Sequence, residues 1–182
     1  PGNIGAAARA MKTMGISNLA LVAPKKFPHP DATAMASGAD DILTNANVYS
    51  SLDEAIGGAG LVIGMTARTR RLSCDFIRPR ECAQKAVDES LRYPVAILFG
   101  REHAGLTNDE LARCHLGVHI PANTDYSSLN LAAAVQVLCY ELMMARDFGS
   151  SCESDESLTT AVSAESMERL FKHLEMTLTQ VG

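Results

Sequence analysis

Residues 120–140 read IPANTDYSSLNLAAAVQVLCY, and this stretch joins two unlike pieces of chain. Ile120 closes a short apolar strand that begins at Val118, and Pro121 ends it. From Leu129 to Arg146 apolar residues recur at three- and four-residue steps, the spacing of a long helix. Between strand and helix stand Tyr126, Ser127, Ser128 and Asn130, so hydroxyls and an amide crowd the helix start. One Ser or Asn is enough to cap a helix, and the surplus of polar groups points to a ligand. The alanines at 132–134 let another helix or strand approach closely, which suits a dimer interface or a chain crossing.

Toward the N-terminus the same alternation repeats. Ile4, Ala7, Ala8, Met11 and Met14 define a helix with one buried face, capped by Asn3 and stopped by Gly15. Leu19 to Val22 reads as a buried strand, Asp31 to Ser37 as a short helix, and Ser51 opens another helix that Gly57-Gly58 closes. Leu61 to Ile63 and Val95 to Phe99 are buried strands; Arg80 to Leu91 and Asn108 to Cys114 are helices, the latter capped by Thr107 or Asn108. Short apolar strands alternating with helices predict an α/β fold, a mostly parallel sheet with helices on both faces. This domain spans residues 1–148. Gly149 to Ser157 is rich in Ser and acidic residues, so residues 149–166 read as a flexible linker, and residues 167–182 as a C-terminal helix.

With 182 residues, 47% hydrophobic and 20% charged, the chain has material for one globular domain. No apolar run reaches the ~18 residues that cross a bilayer, and nothing resembles a signal peptide, so no membrane partner is expected. The chain begins at Pro1 in a Gly/Asn turn and reads as a fragment. Cys74, Cys82, Cys114, Cys139 and Cys152 are odd in number and form no C-x-x-C pair, which fits a reducing cytoplasmic compartment. No metal is expected: the five histidines make no ligand motif, and Cys114, His115 and His119 straddle a helix end and a strand start. A net charge of -5 argues against gripping nucleic acid by bulk electrostatics. Any RNA contact must come from local patches, foremost Arg68, Arg70 and Arg71, then Arg78 with Arg80 and Lys25 with Lys26.

Ligands of parallel sheets sit beyond the carboxyl ends of the strands. Three loops qualify: Gly64-Met65-Thr66-Ala67-Arg68, Gly100-Arg101-Glu102-His103-Ala104-Gly105-Leu106, and Pro121 to Asn130. Neither a G-x-G-x-x-G fingerprint nor a G-x-x-x-x-G-K-[ST] loop is present, so dinucleotide binding and NTP hydrolysis have no support. Gly100 suggests close backbone approach, while Glu102 stands at the sheet mouth, as a site acid or as an ion-pair partner of Arg101 or Arg113.

Three segments together resemble the ordered motifs of the SPOUT ribose methyltransferases. They are Asn3-Ile4-Gly5-Ala6-Ala7-Ala8-Arg9-Ala10-Met11-Lys12, Leu98-Phe99-Gly100-Arg101-Glu102 with Gly105-Leu106-Thr107, and Ile120-Pro121 with Ser127-Ser128-Leu129-Asn130-Leu131. Arg101 inside the glycine loop and the tail Gln136 to Glu141 are similar to the bacterial TrmJ group. The resemblance implies a C-terminal trefoil knot, a homodimer built on the first helix and the Leu129 to Arg146 helix, and a tRNA substrate methylated on the ribose of nucleotide 32. It implies S-adenosylmethionine as donor, leaving S-adenosylhomocysteine, with Met65, Thr66, Ala67, Gly100, Ile120, Ser127, Ser128 and Leu129 around it. Arg9 falls at the implied catalytic centre, with Asn3, Glu102, Ser128 and Asn130 nearby. Two departures stand out: the strand expected before the first motif is absent, and the chain stops at Gly182, short of the helical extension usual in the group. Two other readings remain open at this stage, a related methyltransferase acting on another tRNA or ribosomal RNA site, and a non-catalytic module that binds adenosylmethionine or a nucleoside.

Overall fold

A computed structural model describes residues 1–67, 76–123, 125, 128–148, 173, 174, 176 and 177. In chain order its elements are α1 (Gly2–Thr13), β1 (Ala20–Val22), α2 (Pro30–Ala36), α3 (Asp40–Thr44), β2 (Asn47–Tyr49), α4 (Leu52–Ile56), β3 (Leu61–Met65), β4 (Phe76–Ile77), α5 (Pro79–Ser90), β5 (Val95–Leu98), α6 (Asn108–Leu111), β6 (Leu116–Val118) and α7 (Leu131–Phe148). Every strand pairing is parallel, as the alternation of strands and helices predicts. The expected single sheet is divided in two. β1 pairs with β2, and a separate four-stranded sheet runs β4-β6-β3-β5.

β3 is the inner strand of the larger sheet, and all five of its residues are buried. Its side chains alternate between two covered faces. Leu61, Ile63 and Met65 pack with Cys82 and Ala86 of α5 and Leu138 of α7. On the opposite face Gly64 lies under Leu106, Leu111 and Cys114; a Cβ there would come 2.7 Å from the Cys114 sulfur, so only glycine lets the α6 segment settle on the sheet. A second core joins α1, α2, α3 and α7 through Ala8, Met11, Ala36, Ile42 and Val135. There Gly5 admits the α2 backbone: a Cβ at Gly5 would sit 1.9 Å from the Ala32 carbonyl oxygen.

The structure corrects several boundaries. β6 lies two residues earlier than the predicted Val118 to Ile120, which leaves Ile120 in the loop that follows the strand. α6 ends at Leu111 rather than Cys114. α3, β2 and β4 are short elements that periodicity does not register. Asn3 does not cap α1; it lies inside the helix, whose N-cap is Pro1 with no side-chain bond.

The chain divides into two units, Pro1–Ser151 and Cys152–Gly182. Of the second, His173, Leu174, Met176 and Thr177 are described; they are helical and exposed, with the Thr177 hydroxyl donating to the His173 carbonyl at 2.8 Å. The predicted linker, Cys74, Cys152 and the rest of the terminal helix lie outside the described residues. Among the described residues no helix is long and apolar enough to cross a membrane.

The outer edges of β1 and β5 pair with no other described strand, and both border a cavity of about 1110 Å³. Asn3 and Ile4 of the first helical turn line it beside Phe99 and Gly100, while Val135 and Leu138 form part of its wall. This slot runs along strand edges of both sheets beside the first turn of α1. A five-residue Val/Ile strand and short turn fused ahead of Pro1 should pair with both edges and raise the melting temperature, by roughly 2–4 °C per kcal/mol gained. An unchanged melting temperature and unchanged amide exchange in β1 and β5 would show that the slot does not admit a strand.

Candidate active site

The parallel register carries the predicted loops to one place. Gly64 of β3 pairs with Leu98 of β5, and Met65 pairs with Val118 of β6. Continuing past these last pairs sets Gly100, Thr66 and His119 abreast, with Ala67 and Ile120 one residue further out. The row is tied together: the Thr66 amide donates to the Val118 carbonyl at 2.9 Å, and the His119 ring Nδ1 lies 3.3 Å from the Thr66 carbonyl oxygen. Met65 is buried, Thr66, Gly100 and Ile120 are half-buried, and Ala67 is exposed.

Beyond Gly100 the chain turns back on itself. Arg101 and Gly105 exchange two backbone hydrogen bonds of 3.1 and 2.8 Å, and Gly105 takes the positive φ of 67° that the turn requires, a conformation open to glycine. A Cβ on Gly100 would fall 2.0 Å from the Gly105 carbonyl carbon, so the hairpin closes directly over a bare α-carbon. Arg101 then forks onto Glu110, with Nη1 and Nη2 donating at 3.1 and 2.9 Å to the two carboxylate oxygens. Glu110 also accepts from the Thr107 amide at 2.8 Å, while Thr107 Oγ1 accepts from the Glu110 amide, a capping box that fixes the start of α6. Partial burial works to raise the Glu110 pKa, but the bonds from Arg101 and Thr107 outweigh it and hold the carboxyl below its ordinary value.

Neither ion pair weighed for Glu102 forms. Arg101 takes Glu110 instead, and Arg113 takes Asp53 at 2.5 Å, because each finds a carboxylate that an N-terminal helical turn already positions. Glu102 is exposed at the hairpin tip with no hydrogen bond or ion pair to a described residue.

At the other end of the site, Asn130 is the residue that caps α7. Its Oδ1 accepts from the amides of Ala132 and Ala133 at 2.9 and 3.4 Å, and its Nδ2 donates to Asn3 Oδ1 at 3.2 Å across 127 residues of sequence. Asn130 is thus committed at both ends, while the Nδ2 of Asn3 makes no hydrogen bond to a described residue. Ser128 and Leu129 are exposed beside it. Arg9 is exposed on α1 without a hydrogen bond or ion pair to a described residue; six helical residues from Asn3, it points roughly 120° around the axis from it. Ser127, Tyr126, Arg68, Arg70 and Arg71 lie outside the described residues, whereas Lys25, Lys26, Arg78 and Arg80 are exposed.

Sequence reading passed over two participants. Glu110 was visible as the fourth residue of a Thr-x-x-Glu capping box, but its grip on Arg101 depends on the hairpin. His119 carried no pattern signal, and only the strand register shows what it reaches. Among the described residues no cluster of three His, Cys, Asp or Glu side chains is placed to hold a metal ion.

These features define an α/β domain of parallel strands whose loops gather at the carboxyl ends of those strands. Residues 1–140 match the model of the SpoU rRNA Methylase family, and the chain belongs to that family. It is 50% identical over its whole length to the tRNA (cytidine/uridine-2'-O-)-methyltransferase TrmJ of Sodalis glossinidius, of which it spans 71%. It is likewise 50% identical to the tRNA (cytidine/uridine/adenosine-2'-O-)-methyltransferase TrmJ of Pseudomonas aeruginosa, of which it spans 74%. The crystal structure of the SpoU methyltransferase AviRb from Streptomyces viridochromogenes with its cofactor AdoMet aligns with a TM-score of 0.63 at 25% identity, covering 80% of this chain and 56% of that one.

The Glu110 carboxyl supplies a pH test of the hairpin. A depressed folded-state pKa means that its stabilisation is present above the ordinary carboxylate value and is lost as pH falls through the lower, folded value. Glu110→Gln should therefore lower the melting temperature at pH 7 and narrow its gap to wild type below pH 4. A gap that stays constant with pH would contradict the Arg101–Glu110 assignment.

Proposed function

We propose that this chain transfers a methyl group from S-adenosylmethionine to the ribose 2′-hydroxyl of nucleotide 32, a cytidine or uridine, in the tRNA anticodon loop. The observation that carries the reading is the Asn3–Asn130 hydrogen bond, which links the first and third sequence motifs across 127 residues. Family membership and the two TrmJ relatives support the reaction class. Those relatives are equally similar to this chain yet differ in the bases they are named for, which fits chemistry directed at ribose and indifferent to much of the base.

The residues fit the donor. Leu129, 41% exposed, and Ile120 offer apolar surface to an adenine, and the row of main-chain groups at Gly100, Thr66 and Ala67 offers polar contacts without side chains in the way. The same reading gives Ser127, Ser128 and Met65 to the donor. When bound, the donor supplies an electrophilic methyl on a sulfonium, and no metal takes part. The chain must then align the 2′-oxygen with that methyl and ease the loss of the hydroxyl proton. A guanidinium keeps its proton far above neutral pH and is a poor base there. Arg9 instead clamps the neighbouring phosphate and stabilises developing negative charge on the 2′-oxygen, while phosphate or water accepts the proton. Asn3 Nδ2 directs the sugar, Asn130 holds Asn3, and Glu102 and Ser128 border the reacting groups. Arg68, Arg70 and Arg71 contact the RNA in an otherwise acidic chain.

The same reading makes the protein a cytoplasmic homodimer through α1 and α7, with a trefoil knot in the C-terminal part of a domain spanning residues 1–148. Residues 149–166 are its linker, and residues 167–182 a C-terminal helix.

Two substitutions test the roles. Arg9→Lys keeps the charge but loses the fork; turnover should fall at least tenfold while S-adenosylhomocysteine binding by calorimetry stays unchanged, and wild-type turnover would overturn the clamp. Asn130→Asp keeps the capping oxygen of α7 but cannot donate to Asn3. It should retain its melting temperature and lose turnover; full activity would show that the sense of this hydrogen bond is immaterial.

A further inference from the structure

We propose that His119 is a positioning residue for the methyl donor, aiming the Ala67 amide into the donor cleft by fixing the Thr66–Ala67 peptide. This rests on the donor reading given above and assigns a residue outside the three motifs. The Thr66 carbonyl is an acceptor, so the His119 nitrogen 3.3 Å from it, Nδ1, carries the proton and donates. Thr66 is held on the same side by its own amide, which donates to Val118, and His119 is anchored in turn through its main-chain amide, which donates to the Ile77 carbonyl at 3.3 Å. One half-buried imidazole therefore ties together the carboxyl ends of β3, β6 and β4.

The consequence follows from the planarity of the peptide. The Thr66–Ala67 bond is trans, so its N–H points opposite to its C=O. Holding the Thr66 oxygen toward β6 turns the Ala67 N–H toward β5, where Gly100 stands in the same row. That amide makes no hydrogen bond to a described residue and sits on exposed chain. It is a donor uncommitted to described residues and directed between the first and second loops, where an acceptor atom of S-adenosylmethionine is to lie. Without the imidazole the peptide can rotate, and the donor must order it on binding.

The full chain is tested by calorimetry with S-adenosylhomocysteine and by tRNA methylation at varied S-adenosylmethionine. His119→Leu should weaken binding and raise KM for the methyl donor five- to tenfold, with kcat at saturation within twofold of wild type. His119→Asn places an amide nitrogen where Nδ1 stands and should restore both constants to within twofold. A Leu variant with wild-type affinity overturns the proposal, and so does an Asn variant as impaired as the Leu one, which is what a packing role would give. A wild-type chain that fails to bind S-adenosylhomocysteine defeats the donor reading itself, and this role with it.

Discussion

Everything in the larger sheet is referred to β3, a strand buried on both faces and paired on both edges. Its pairing with β5 and β6 brings together residues that are distant in sequence. The register then decides which loop residues stand side by side at the carboxyl end. Gly64 is the condition for this, because α6 and the segment after it reach the sheet only where β3 has no side chain. The helices that close the other face carry Cys82 and Cys139, whose thiols burial pushes up to about 11, with Glu81 adding to the effect at Cys82. Such thiols are protonated and inert at neutral pH; they serve as packing atoms.

From this base the site is assembled by polar groups that each do two things. Asn130 starts α7 and holds Asn3. Glu110 starts α6 and holds Arg101. His119 extends the β6 backbone and holds Thr66. In each case a group that terminates an element also orients a loop, so the loops inherit the rigidity of the elements behind them. Arg9 and Glu102 are the exceptions, exposed and uncommitted to described residues, which is the condition expected of side chains that meet a substrate.

The α/β alternation, the parallel pairing and the long helices were legible because buried strands and one-sided helices leave strong patterns at Leu61 to Ile63, Val95 to Phe99 and Leu129 to Arg146, within a residue or two of the observed β3, β5 and α7. Two- and three-residue strands such as Phe76–Ile77 leave none, since a period cannot be read from so few residues. Division of the sheet was not legible from periodicity either. In the loops, local pattern misjudged individual jobs. Asn3 looks like a cap because Asn commonly caps helices, and Pro1 takes that place instead. Glu102 was weighed as the partner of Arg101, yet hairpin closure turns the guanidinium toward Glu110. Such pairings depend on three-dimensional closure, which local pattern does not encode.

The central claim is that the reaction takes place on a ribose oxygen of tRNA. The most direct measurement supplies the chain with methyl-labelled S-adenosylmethionine and unmodified tRNA, then locates the label by alkaline hydrolysis and mass spectrometry of the fragments. A single hydrolysis-resistant phosphodiester at nucleotide 32, with the label on the sugar, is the predicted result. Label on a base, or donor bound with no label transferred to RNA, would contradict the account.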